Sequence, residues 1–178
     1  LDLEAAEYFG VGYFSDVNKG MMRGRICIPI HNLAGELVAY CGRAVDEEAD
    51  EKYLFPPRFN KLAELFNVHR LNGARHIVAV EGFFSAMRLH QLGVPVVALM
   101  GTAISAEQIA LLERVGVKSA LVLLDGDDPG RRASVEVGAA LMRRMFTRVM
   151  HLPDGCSPDD ADMDTLQAML PFPLANRF

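Results

Sequence analysis

The sequence predicts an α/β fold in which a Rossmann-like parallel sheet with helices on both faces follows a small α+β subdomain with a β-hairpin. Two observations predict it. In the second half, four short apolar runs alternate with segments of helical spacing, the pattern of successive βαβ units. In the first half, two strand-like runs are joined by a turn that carries a glycine. Asn72-Gly73 marks the expected boundary, giving an N-terminal α+β subdomain over 1–75 and a parallel-sheet domain with a C-terminal extension over 76–178.

The hairpin is read from Arg25–His31 and Leu37–Val45, joined by Asn32–Glu36 with Gly35. Pro29 lacks a ladder donor, so its strand is expected at an edge or at a bulge. Lys52–Pro57 adds a third short strand, and Lys61–Val68 reads as a short helix. In the second half the apolar runs are His76–Val80, Val94–Met100, Ala120–Leu124 and Arg148–Leu152. They are nearly continuous in Val, Leu and Ala, as strands covered on both faces require. Phe83, Phe84 and Met87 share one stripe of a helix over Phe83–Leu92, which Gly93 closes. Ser105-Ala106-Glu107-Gln108 is a capping-box pattern, opening a helix that ends at Gly116. Asp128-Pro129 suits an N-cap followed by the first helical residue, starting a helix through Met145.

Composition excludes several classes. Apolar residues are 51% and charged residues 23% of 178, an ordinary globular balance, and no apolar run reaches the ~20 residues of a spanning helix, so no membrane is expected. Net charge is −5. Split after Arg75, the chain has 9 basic and 11 acidic residues, then 9 and 12, so a wholly basic nucleic-acid coat is excluded while a local groove is not. Cys27, Cys41 and Cys156 are odd in number, widely spaced and without a CxxC pair. They predict a reducing, cytoplasmic setting and no zinc in this chain. The start at Leu1 reads as a piece of a longer protein.

Open parallel sheets bind ligands beyond the carboxyl ends of their strands. There the sequence places Glu81-Gly82, Gly101-Thr102, Asp125-Gly126-Asp127-Asp128, and Pro153-Asp154-Gly155 with Asp159, Asp160 and Asp162 beyond. Glu81, Asp125 and Asp127 become neighbours on one edge. Clustered carboxylates repel unless protons or cations neutralise them, and hard oxygen ligands suit Mg²⁺. Asp125 and Asp127 flank a glycine and can address one ion, with Asp128 left to cap the helix. Taken alone, D-G-D-D before a helix is as readily an acidic helix start, and the scattered histidines read as packing or surface residues. The shared edge is what lifts the carboxylates above that reading.

V-E-G-F-F at Val80–Phe84, A-L-M-G-T at Ala98–Thr102, L-L-D-G-D-D-P-G at Leu123–Gly130 and L-P-D-G at Leu152–Gly155 resemble the TOPRIM domain. The form is that of bacterial replicative primases and primase-like proteins of mobile elements. Upstream, Gly24-Arg25-Ile26, Ile28-Pro29-Ile30, Gly42-Arg43, Lys52-Tyr53 and Phe59-Asn60-Lys61 resemble the small basic subdomain that precedes TOPRIM in primases. The resemblance covers nearly all of 23–160.

That resemblance implies synthesis of RNA primers from ribonucleoside triphosphates on a single-stranded DNA template, with Mg²⁺ (or Mn²⁺). It implies Glu81 as general acid/base or metal-linked carboxylate at the 3′-hydroxyl, and Asp125 and Asp127 with Asp159 as the metal residues. Arg25, Arg43, Lys52 and Lys61 match basic positions that face template or incoming nucleotide. A replicative helicase is an implied partner through regions outside this chain. Two positions depart from the pattern: Ser85 stands where primases carry an Asp four residues after the Glu, and Ser157 replaces the first Asp of D-P-D. Both thin the acidic cluster, leaving either one well-held ion or a weakened or lost activity.

Other readings stay open. A TOPRIM nuclease uses the same acids but gives the basic hairpin no purpose. A non-catalytic module binding single-stranded DNA or nucleotide keeps the fold without the chemistry. Leu124–Asp127 also resembles the nucleophile strand of haloacid-dehalogenase-type phosphatases, yet it follows three strands instead of opening the sheet. No GxxxxGK[ST] is present, which excludes a P-loop.

Overall fold

The computed structural model describes residues 2–15, 20–46 and 49–174. The chain opens with α1 (Leu3–Phe9), whose N-cap Asp2 accepts from the Ala5 N–H at 2.9 Å and which Gly10 closes at φ 68°. Strands β1 (Gly12–Phe14), β2 (Arg25–His31), β3 (Leu37–Ala44) and β4 (Tyr53–Leu54) follow and pair antiparallel in that order. The hairpin and the third short strand stand where the sequence predicts them. The sequence pattern had not marked α1 and β1, both short. Pro29 is tolerated because β1 covers only Arg25–Cys27 of its strand, and the register shifts directly beyond, between Ile30 and His31.

The helix expected over Lys61–Val68 does not form. Two 3₁₀ turns, Lys61–Ala63 and Val68–Arg70, take its place. The physical reason is a competing partner: the Phe66 N–H donates to the Ala98 carbonyl at 3.0 Å and the Ala98 N–H returns a bond at 3.1 Å. Phe66 thereby caps the edge of the second sheet and cannot serve an α-helical ladder.

That sheet contains β5 (His76–Val80), β6 (Val96–Ala98), β7 (Ser119–Val122) and β8 (Phe146–Val149), parallel throughout and ordered β6-β5-β7-β8. Between and after them run α2 (Phe83–Gln91), α3 (Ala106–Val115), α4 (Asp128–Met142) and α5 (Met163–Met169). The last strand begins at Phe146, ahead of the expected Arg148–Leu152. It is an edge strand with Phe146 70% exposed, so it needs no continuous apolar run, whereas Leu152, 1% exposed, anchors the following loop in the core.

Alternate strand residues face two cores, as a period of two demands. Val78, Val80, Val96 and Ala98 pack with Met87 of α2, Leu166 of α5 and the Ile28, Ile30 and Cys41 side chains of the antiparallel sheet. Ile77, Ala79, Val97, Ala120 and Val122 pack with Leu112 of α3 and Val137 and Leu141 of α4. The first core spans both sheets, which fixes the basic hairpin against the parallel sheet. Among the described residues no helix is long and apolar enough to cross a membrane.

Candidate active site

Because β5, β6 and β7 run in one direction, the residues that leave their carboxyl ends meet on one edge. Glu81 follows β5, Met100-Gly101 lies beyond β6, and Asp125-Gly126-Asp127 lies beyond β7. The loops after β7 and β8 are stitched together: the Gly126 N–H donates to the Cys156 carbonyl at 2.8 Å and the Gly155 N–H to the Gly126 carbonyl at 3.1 Å. Asp127, not the expected Asp128, caps α4. Its backbone is extended (φ −92°, ψ 170°) and its Oδ1 accepts from the Gly130 N–H at 2.7 Å. Pro129 fits the second helical position as well as the first, since neither N–H has an intrahelical acceptor.

The carboxylates act on one another electrostatically. Burial raises the Glu81 pKa, and the charges of Asp125 and Asp127 raise it further, with Lys52 and Lys61 opposing. Burial likewise raises that of Asp125, followed by the charges of Asp159 and Asp127, with Lys52 opposing. Asp125, Asp127, Asp159, Arg43 and Lys52 line a polar cleft of about 380 Å³. Glu81 and Lys61 line an adjoining cavity of about 290 Å³, and Tyr53 and Gly82 form the wall common to both.

Three of the four basic residues singled out in the sequence reach these cavities. The Arg43 guanidinium lies 5.2 Å from the Phe84 ring centroid and 5.8 Å from that of Tyr53, and its Nε donates to Tyr53 Oη at 3.3 Å. Lys61 Nζ donates at 3.2 Å to the carbonyl of Met100, a residue held at φ 61°. Arg25 does not line the cleft. Its Nη1 donates to the Gly42 carbonyl at 3.2 Å and to the Glu51 carbonyl at 2.8 Å, tying down the chain beside Lys52. Tyr53 was missed as a site residue; its place beside Lys52 in the strand that flanks the hairpin is the signal that could have found it. Asp154 is drawn off into an ion pair with Arg131.

Both serines that depart from the family pattern hydrogen-bond to aspartates. Ser85 Oγ donates to Asp159 Oδ1, and Ser157 Oγ donates to Asp160 Oδ2 at 2.8 Å. Asp125 contrasts with them, since its Oδ1 is buried and has no hydrogen-bond partner. An anionic oxygen in that state fits a cation. Among the described residues no three His, Cys, Asp or Glu side chains are grouped so as to hold an ion by themselves. Asp125 and Asp127, hard oxygen donors on one loop, are the side chains that would hold such an ion, with the rest of its shell left to water or ligand oxygens. Cys27, Cys41 and Cys156 are free thiols.

Residues 78–165 match the Toprim-like family model, and residues 3–72 match the N-terminal domain of the DNA primase catalytic core. A DNA primase of Deinococcus radiodurans is 34% identical over 148 residues, covering 78% of this chain and 26% of its own. That of Listeria monocytogenes is 33% identical over 174 residues, covering 90% and 27%. The crystal structure of the zinc-binding and RNA polymerase domains of the Aquifex aeolicus primase aligns with TM-score 0.79 at 25% identity, over 94% of this chain and 50% of that one. Fold and sequence together define a TOPRIM protein with a primase-type N-terminal domain. The chain belongs to the bacterial DNA primase family, as part of the catalytic core. It spans about a quarter of the length of the curated relatives it matches.

Proposed function

We propose that the chain carries the polymerising site of a primase, joining ribonucleotides into a short RNA on a single-stranded DNA template. The observation that supports this most is the buried, unpartnered Asp125 Oδ1 in an acid-lined cleft that Arg43 and Lys52 also line. A cleft with both signs of charge suits a triphosphate and a cation together. Mg²⁺ or Mn²⁺, when bound, neutralises the triphosphate. Asp125 and Asp127, with Asp159 nearby, are the residues to hold it.

Glu81 takes the proton of the primer 3′-hydroxyl as the 3′-oxygen bonds to the α-phosphorus and the bond to pyrophosphate breaks. Burial and the neighbouring aspartates raise its proton affinity, which brings it closer to the working pH of a general base. Arg43 and Lys52 bind phosphates on the aspartate side of Tyr53, and Lys61 does so on the Glu81 side. Arg25 supports Lys52 through the Glu51 carbonyl. A net charge of −5 does not oppose this, because phosphate binding needs only a local groove.

The test is a primer-synthesis assay with single-stranded template, ribonucleotides and Mg²⁺ or Mn²⁺. Short RNA products that disappear in Glu81→Gln and Asp125→Asn are the expected result. Template binding without products identifies a binding module instead, and cleavage of the template identifies a nuclease.

A further inference from the structure

Ser85 sits in the first turn of α2, only 3% exposed, with its hydroxyl directed at Asp159 across the cleft. Ser157, within the loop after β8, donates to Asp160 three residues further on. Asp159 and Asp160 thus each accept a neutral hydroxyl, while Asp125 keeps a buried oxygen with no donor. A pair of divalent ions about 4 Å apart needs carboxylates on both sides and one shared between them. Here the side chain wedged between α2 and the β8 loop carries no charge. We infer that Ser85 is a positioning residue in a one-ion cleft: its hydroxyl holds Asp159 back from the divalent ion at Asp125 and Asp127, and its neutral side chain offers no ligand to a second ion.

The inference rests on the proposed metal-dependent site and deepens it. Removing the hydroxyl frees Asp159 to turn toward the ion. Replacing it with a carboxylate supplies the ligand that a second ion lacks.

Mn²⁺ binding to the purified protein, followed by the electron paramagnetic resonance of the free ion, tests this without reference to activity. One ion per chain is expected, and Asp125→Asn abolishes its tight binding. Ser85→Ala keeps one ion but binds it about threefold tighter, the size of one lost hydrogen bond. Ser85→Thr, which keeps the hydroxyl, restores the original affinity. Ser85→Asp raises the count to two. Two ions in the unaltered protein, or an affinity unchanged in Ser85→Ala, overturns the role of Ser85 and leaves the proposed function standing. No bound ion at all overturns both. Should Ser85→Asp fail to fold by circular dichroism, the unaltered count and the alanine and threonine affinities still decide.

Discussion

A methyl group on Gly126 would stand 2.2 Å from the carbonyl oxygen of Pro153. The glycine between the two aspartates is there because the loop after β8 passes directly over it, and the hydrogen bonds from Gly126 and Gly155 lock the two loops together. Its φ is not positive, so close approach and not turn geometry excludes a side chain.

Gly126→Ala is therefore expected to force the two loops apart and destabilise the protein by about 1–3 kcal/mol, the usual cost of overpacking. Urea denaturation measures it, and Mn²⁺ affinity should fall with it as Asp125 shifts. An unchanged unfolding midpoint would refute the packing account.

Gln108 makes a second expectation. Its amide is 0% exposed, and Nε2 reaches the carbonyls of Lys61, Glu64 and Leu99 at 3.2, 2.8 and 3.1 Å. Oε1 accepts from the Ser105 N–H at 3.1 Å, completing a capping box. Gln108→Leu removes a donor from each of these carbonyls and should cost about 1–3 kcal/mol in chemical denaturation. Because the Lys61 turn hangs on this amide, the variant should also behave like a mild Lys61→Ala in nucleotide binding.

Arg43 and Arg25 should part company in DNA binding. Arg43→Ala is expected to weaken binding of single-stranded oligonucleotides regardless of sequence and to flatten the salt dependence by about 0.7 in the log–log slope, one phosphate contact. Arg25→Ala, whose guanidinium is engaged by two carbonyls, should lower stability and leave that slope nearly unchanged. Fluorescence anisotropy over a salt series separates the two. Equal slopes for both variants would mean that Arg43 faces no phosphate.

The histidines at the join of the two sheets give a pH dependence. The His31 and His69 rings lie 4.9 Å apart. Burial first, then the charges of Arg70, His31 and His90, lower the His69 pKa from 6.5 to about 4. Burial and Arg70 lower that of His31 as well. Between pH 6.5 and about 4 the unfolded chain binds a proton at His69 that the folded chain refuses, so stability falls on acidification through that window. With solvent screening the loss is on the order of 1 kcal/mol. Urea unfolding at pH 7 and pH 5 should show a smaller difference in His69→Gln than in the unaltered protein. An equal difference would place the acid sensitivity elsewhere.

Much of this architecture is legible in one dimension. The runs at His76–Val80 and Ala120–Leu124 announce central strands because such strands are buried on both faces and leave no room for polar residues. The Ser105–Gln108 capping box is equally plain, being a local exchange of hydrogen bonds. Short elements are not: α1 and α5 are held by packing on the first core and β1 by its pairing with β2, and all three carry too few residues for a period to emerge. Asp127 and Asp128 are indistinguishable as caps until the Gly130 N–H is seen to bond Asp127.

The chain's order of apolar runs and acids was sufficient to predict the strand-end edge that carries Glu81, Asp125 and Asp127, because a parallel sheet brings every carboxyl end to one side. What hydrogen-bonds to each acid was decided only by the fold. Ser85 and Asp159, far apart along the chain, meet through packing of α2 against the β8 loop, and Arg25 turns to backbone carbonyls instead of the cleft. Such partners depend on contacts between distant segments, and no local pattern encodes those.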